Sequence, residues 1–360
     1  MASRHLTTST LGSVRTVLVL CSLLPGLLWA HGATDRVHTI SGSELPKTPA
    51  PRTAINLTDI RCKIVYETFR ETGGRKNWEL YLINADGSNP VNLTNTPNSD
   101  EMYPHACPDG TKICCVADEM AGGRKVRNVY WMNVDGTGRT KVADNARQPC
   151  WGPGSKTIAY LPAEFKPYTI KDYATKGLVF YDVATRRHKM HPNKKLHHLY
   201  NISWSPDGKW FLATVHGGMG FKHAILAFKV DGMKIYDLTK FGVTGCRPEW
   251  SPDGKRMTWG LTDWDLCTAE INVASGEPQV TNVRRVVKCG KEYEVYHTDF
   301  SPRGRYLTFS HGPKAVEMVG GKAPGWNICV TDLSGKWTVI TTDGNHNKEP
   351  DWVPCRTASN

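Results

Sequence analysis

The 360-residue chain has no Cys-x-x-Cys pair, no Gly-x-Ser-x-Gly elbow and no spaced ladder of acidic oxygen ligands. The first absence argues against zinc-knuckle and thioredoxin-type chemistry. The second removes the nucleophile of an α/β-hydrolase, and the third removes calcium loops of the EF-hand kind. Acidic residues are also scarce beside basic ones, 34 Asp and Glu against 45 Lys and Arg, giving a formal charge of +11. The basic residues are dispersed apart from short groups such as Arg186-Arg-His-Lys189 and Lys194-Lys195. No nucleic-acid-reading motif accompanies them, so no nucleic-acid partner is expected. A surface of this sign steers acidic partners instead.

Long apolar runs are limited to Val17 to Trp29, preceded by Arg4 and Arg15 and followed by Ala30-His-Gly-Ala33. Positive start, short apolar stretch and small residues are the pattern of a secretory signal peptide, assigned to residues 1–30. The run is too short to span a bilayer comfortably, and no integral span is expected after processing. Removing it leaves +9 and ten of the 11 cysteines, an even number in a compartment that permits disulfides. A periplasmic or secreted location follows. Residues 31–58 are rich in Pro, Ser and Thr and read as a leader; 357–360 read as a tail.

What the chain does have is a phrase repeated at nearly even intervals. It occurs as Ala106-Cys-Pro-Asp-Gly110, Trp151-Gly-Pro-Gly154, Trp204-Ser-Pro-Asp-Gly208, Trp250-Ser-Pro-Asp-Gly254, Phe300-Ser-Pro-Arg-Gly304 and Trp352-Val-Pro354. Successive prolines are 45, 53, 46, 50 and 52 residues apart, the spacing of propeller blades. Pro fixes φ, and Asp-Gly supplies a capped turn with a residue free to take positive φ, so each phrase closes a tight hairpin. Asn84-Ala-Asp-Gly87 and Asn133-Val-Asp-Gly136 close a later hairpin in the same way. β-branched and aromatic runs such as Lys63 to Phe69 and Trp78 to Ile83 supply strands. The last phrase has no blade after it, and the segment Lys63 to Thr94 lacks an innermost strand. The expected architecture over residues 59–356 is therefore an all-β, six-bladed β-propeller with four-stranded blades, its ring closed by a C-terminal strand that completes the first blade. Cys355 would then face Cys62, and a disulfide between them would lock the ring.

The repeat, with Trp-Ser-Pro-Asp-Gly-Lys at 204–209 and 250–255 and Glu79-Leu-Tyr-Leu-Ile-Asn-Ala-Asp-Gly-Ser-Asn89, resembles that of the TolB-type β-propeller family. The resemblance covers roughly residues 60–354 and implies the fold. It does not fix a function, because members of this family include periplasmic partner-binding propellers, sugar-active lyases and gating domains of prolyl-type peptidases.

In a propeller the innermost strands line an axial channel. Three residues before each Trp position lie Tyr103, Gln148, Asn201, Arg247, His297 and Glu349, a polar row, while Pro104, Pro149, Ile202, Pro248, Thr298 and Pro350 suit packing between blades. Arg147, Tyr200 and Lys348 stand next in line toward the mouth. These nine residues, Tyr103, Arg147, Gln148, Tyr200, Asn201, Arg247, His297, Lys348 and Glu349, are the candidate ligand-binding set. Loops 161–175 and 310–325 should lie on the same face, the second bringing His311, Lys314, Lys322 and Trp326. His188, His191, His197 and His198 form a His-rich stretch expected to be surface rather than metal-binding.

The leading reading is a non-enzymatic, monomeric, exported propeller that binds a protein or an acidic polysaccharide at the loop-rich mouth, with no cofactor. The alternative is a metal-dependent polysaccharide lyase of the oligogalacturonate type. His297, Gln148 and Glu349 would then ligate one divalent cation in the channel, with Arg247 or Lys348 as catalytic residues that neutralise a uronate carboxylate.

Overall fold

The computed structural model describes residues 55–165, 171–261, 265–314 and 322–355. The signal peptide, most of the leader and the tail lie outside the described residues. The leader's last residues belong to the packing: Leu57 is buried in a cluster with Ile64, Tyr66 and Trp352.

Among the described residues twenty-four strands form six four-stranded antiparallel sheets. Blade 2 shows the repeat: β4 (Asp100–Ala106), β5 (Lys112–Ala121), β6 (Arg124–Asn133) and β7 (Thr140–Ala143). The next three blades begin with β8 (Ala146–Trp151), β12 (Leu199–Trp204) and β16 (Cys246–Trp250), and the sixth with β20 (Tyr293–Phe300). Blade 1 is completed across the termini. Its strands β1 (Lys63–Thr72), β2 (Arg75–Asn84) and β3 (Val91–Asn92) follow one another, and β24 (His346–Val353) supplies the innermost strand. Lys63 pairs with Val353 and Ile64 with Trp352. Cys62 and Cys355 are disulfide-bonded just beyond this pairing, with Cα atoms 4.8 Å apart. Both expectations for ring closure are met.

The local chemistry is that of the phrase. Asp207 accepts from Ser205 Oγ (2.6 Å) and from the Lys209 N–H (3.0 Å), and Asp253 repeats this with Ser251 and Lys255. Gly110 is required at its turn. Its φ is +67°, and a Cβ there would sit 2.2 Å from the Pro354 carbonyl oxygen, so only glycine lets the first phrase pass beneath the last. Tryptophans fill the spaces between blades. Trp151 is buried against blade 2, and Trp250 lies with Trp210 and Trp259 between blades 4 and 5.

Two hairpins are longer than the sequence reading allowed. β1–β2 and β5–β6 each run ten residues per strand and turn through Gly73-Gly74 and Gly122-Gly123. Their outer halves are charged, which hid their strand character. The loop assigned to 310–325 is also shorter than expected, since β21 (Leu307–Pro313) carries Ser310 and His311 as buried strand residues.

Candidate functional site

Each innermost strand is interrupted by a bulge at the same place. There the six aligned residues all take left-handed backbone conformations: Tyr103 (φ 54°), Gln148 (51°), Asn201 (50°), Arg247 (59°), His297 (50°) and Glu349 (49°). None is glycine, and each such residue costs on the order of 1 kcal/mol, so the bulge is imposed by the ring rather than by local preference. A bulge leaves an N–H out of the ladder, and the preceding blade supplies an acceptor. Tyr103 N–H donates to Glu67 Oε2 (2.8 Å), Asn201 N–H to Gln148 Oε1 (3.1 Å), Arg247 N–H to Thr214 Oγ1 (2.8 Å) and Glu349 N–H to Ser310 Oγ (3.1 Å).

Three of the predicted residues meet. Arg247 Nη1 lies 2.6 Å from His297 Nδ1 and 3.1 Å from Glu349 Oε1, and Glu349 Oε2 lies 2.5 Å from the same imidazole nitrogen. The guanidinium, which only donates, and the Glu349 carboxyl thus converge on one imidazole nitrogen, while the buried His297 Nε2 has no partner among the described residues. Burial first, then the charges of Arg247 and Lys348, holds the His297 pKa well below its ordinary value. Burial also pushes Glu349 well above the usual carboxylate range, against the pull of Arg247. Arg247 lies between the rings of Tyr200 (5.9 Å) and Tyr296 (5.4 Å). Burial opposes its charge and Glu349 more than restores it.

Beside this lies a group that the sequence reading missed. Arg127 donates to both oxygens of Asp118 (2.7 and 3.0 Å) and to Asp172 Oδ1 (2.5 Å). Asp172 also accepts from the Tyr103 hydroxyl, and Arg127 lies over the Tyr103 ring. Asp118 and Arg127 are direct partners across β5–β6, a pairing readable only once the Gly122-Gly123 turn is placed. Arg147 donates from Nη1 to the Lys171 carbonyl (2.5 Å), so the segment around residue 171 contributes both Asp172 and this carbonyl to the cluster. Lys348 is buried with its ammonium 6.0 Å from the Trp326 ring centroid. Glu67 faces Lys348 across the β1–β24 ladder, and burial outweighs that cation to push its carboxyl up to about 7.

The other predicted elements sort differently. Trp326, expected on a closing loop, is wholly buried against Gly312, its indole N–H donating to the Pro313 carbonyl (3.1 Å). His311 is also wholly buried, stacked on Tyr293, while Lys314 and Lys322 are exposed. In the His-rich stretch, His188 bonds the Tyr160 hydroxyl and His191 donates to the Lys229 carbonyl. His197 donates to the Lys195 carbonyl, and His198 pairs with Glu164 (2.7 Å).

The cation set does not fit its metal. Gln148 Oε1 is committed to the Asn201 N–H, and Arg247 Nη1 already bonds both His297 Nδ1 and Glu349 Oε1, placing like charge where the cation would stand. Among the described residues no group of three His, Cys, Asp or Glu side chains is arranged to hold an ion.

A second ring also escaped the sequence reading, although the same alignment holds it. The residues directly before the Trp positions, His105, Cys150, Ser203, Glu249, Asp299 and Asp351, stitch neighbouring blades. His105 Nδ1 accepts the Trp151 N–H (3.3 Å), Ser203 Oγ the Trp250 N–H (3.1 Å), Asp299 the Trp352 N–H (2.8 Å) and Asp351 the Ala106 N–H (2.6 Å).

No family model and no curated protein matches the sequence. Solved structures match the fold. TolB of Acinetobacter baumannii is 16% identical with a TM-score of 0.56, over 81% of this chain and 67% of that one. A putative TolB of Agrobacterium tumefaciens is 16% identical with a TM-score of 0.53, over 82% and 99%. The chain spans under half of Kuenenia stuttgartiensis hydrazine synthase, which is 12% identical with a TM-score of 0.57 over 81% of this chain and 46% of that one. Similarity at this level of identity concerns architecture. The ring closure, the blade count and the two TolB matches agree that the fold is a six-bladed β-propeller of the TolB type.

Proposed function

We propose that this chain is an exported, periplasmic or secreted binding propeller that captures a protein or acidic polymeric partner on its channel-mouth face. One observation carries the reading. Arg127, Arg147, Arg247 and Lys348 are all buried around one end of the innermost strands, whereas side chains this polar are ordinarily left in water. A TolB-type fold is compatible with an interaction module, and among the described residues no helix is long and apolar enough to cross a membrane. Arg127 and Arg247 already hold carboxylates, whereas Arg147 has none among the described residues, and a buried cation so placed favours an acidic ligand.

The mature chain, immobilised, is tested against polygalacturonate and poly-L-glutamate at low and high salt. The exposed Lys314 and Lys322 stand on the mouth side, and Lys209 and Lys255 follow the phrase turns on the opposite side. Lys314→Glu with Lys322→Glu should weaken binding, and Lys209→Glu with Lys255→Glu should not. Absence of binding to either polymer at low salt, or equal weakening by both pairs, refutes the reading.

A further inference from the structure

Arg147 is a buried cation of the mouth that the packing leaves without an opposite charge among the described residues. It lies on β8, every residue of which is buried, and is itself 1% exposed. Arg127 and Arg247, equally enclosed, each hold a carboxylate. Arg147 belongs to no ion pair among the described residues. Its single hydrogen bond runs from Nη1 to the Lys171 carbonyl, and its buried Nε has no partner. Removing a charge from water costs several kcal/mol unless an opposite charge is supplied, and a carbonyl dipole supplies only part of it. The environment accordingly disfavours the charge: burial and the neighbouring Arg127 both lower its pKa, with Asp172 opposing. Next to it, Gln148 is 6% exposed and its Nε2 donor is also unpartnered.

The geometry of what is left over is specific. With Nη1 engaged, the guanidinium keeps its Nε–Nη2 edge, two parallel N–H donors in one plane. That edge matches the two oxygens of a carboxylate, whereas a lysine ammonium in the same place would offer a point charge without the fork.

We propose that the Nε–Nη2 edge of Arg147 seats a ligand carboxylate at the channel mouth, with the Gln148 amide as an adjoining donor. This rests on the reading of the mouth as the ligand face and adds to it the group recognised. The carboxylate neutralises the uncompensated cation and satisfies its orphaned donors, so binding is coupled to stability. Sugar acids and peptide C-termini both present such a group.

The test uses the mature full chain with sodium acetate, galacturonate, N-acetylalanine and phosphate at constant ionic strength and pH 7. The three carboxylates should raise the melting temperature in a saturable way and phosphate should not. The tighter of galacturonate and N-acetylalanine identifies the source of the carboxylate. Arg147→Lys should weaken carboxylate binding at least about tenfold, the loss of one charge-assisted hydrogen bond. An unchanged response in Arg147→Lys, or no saturable response in the wild type, overturns the proposal. Should the variant not fold, a crystal of the wild type grown with galacturonate decides: carboxylate density on the Arg147 edge supports the seat, and density elsewhere refutes it. Polymer binding that is indifferent to Arg147→Lys removes the seat and leaves the mouth reading standing. Monomer binding that depends on Arg147, without polymer binding, does the reverse.

Discussion

The disulfide at the ring closure permits the sharpest prediction. Cys62 and Cys355 are separated by 293 residues, so their bond ties the two ends of almost every described residue into one loop. In the chain-entropy description, a loop of that length restricts the unfolded chain by about 5 to 6 kcal/mol at 25 °C, while measured disulfides more often give about 2 to 4. The bond acts on the same seam as the β1–β24 ladder, where Trp352 is buried and Gly110 passes under Pro354. Replacing both cysteines with serine should therefore destabilise the protein by about 3 kcal/mol or more, a fall in melting temperature of roughly 5 °C for a chain of this size. Urea denaturation of the oxidised wild type and the Cys62→Ser, Cys355→Ser protein measures the difference. Amide exchange localises it, since β24 should lose protection before any other innermost strand. A stability loss below about 1 kcal/mol, or loss of protection spread evenly over all six blades, would refute the claim that closure at blade 1 is the covalently secured seam.

Three further outcomes follow from buried groups. Burial pushes the Glu67 carboxyl up from an ordinary 4.5 to about 7, so the folded state binds the extra proton and its contribution to stability is present below about pH 4 and lost as pH rises through 7; Glu67→Gln should flatten that part of a stability–pH curve. His311, wholly buried and held near 4, has the opposite sign: it costs stability as pH falls from 6.5 toward 4. His311→Phe should remove acid lability of the order of 3 kcal/mol, read by denaturation at pH 4.5 against pH 7.5. A Cβ at Gly312 would lie 2.3 Å from the Trp326 ring, so Gly312→Ala should displace the indole and cost about 1 to 3 kcal/mol, seen as a lower midpoint and an altered tryptophan emission.

Residue spacing alone placed all six innermost strands, because a Trp-x-Pro-x-Gly turn is a local event: φ restriction at Pro, a capped Asp and a permissive Gly act within five residues. The same spacing predicted the Cys62–Cys355 pairing, since only one partner was available for an orphan strand. It also named Arg247, His297 and Glu349, one from each of three blades, without any means of knowing that they touch. Charged hairpin tips at 70–76 and 119–125 concealed two long strand pairs, because their patterning is set by exposure and not by a core face. His311 was misassigned to a loop for the converse reason: glycines nearby signal a turn in sequence, whereas Gly312 serves to admit the ring of Trp326, a loop residue that is buried.

The repeat by itself determined the blade count, the closure and the row of six aligned bulge residues, all consequences of short-range turn chemistry and a period. Only the tertiary structure decided which of those side chains neutralise one another. Ion pairing across blades depends on separations of a few ångströms between residues 45 to 102 positions apart in the chain, and on burial strong enough to make an unpaired charge costly. Asp172 thus completes Arg127, Glu349 completes Arg247, and Arg147 is left with a carbonyl.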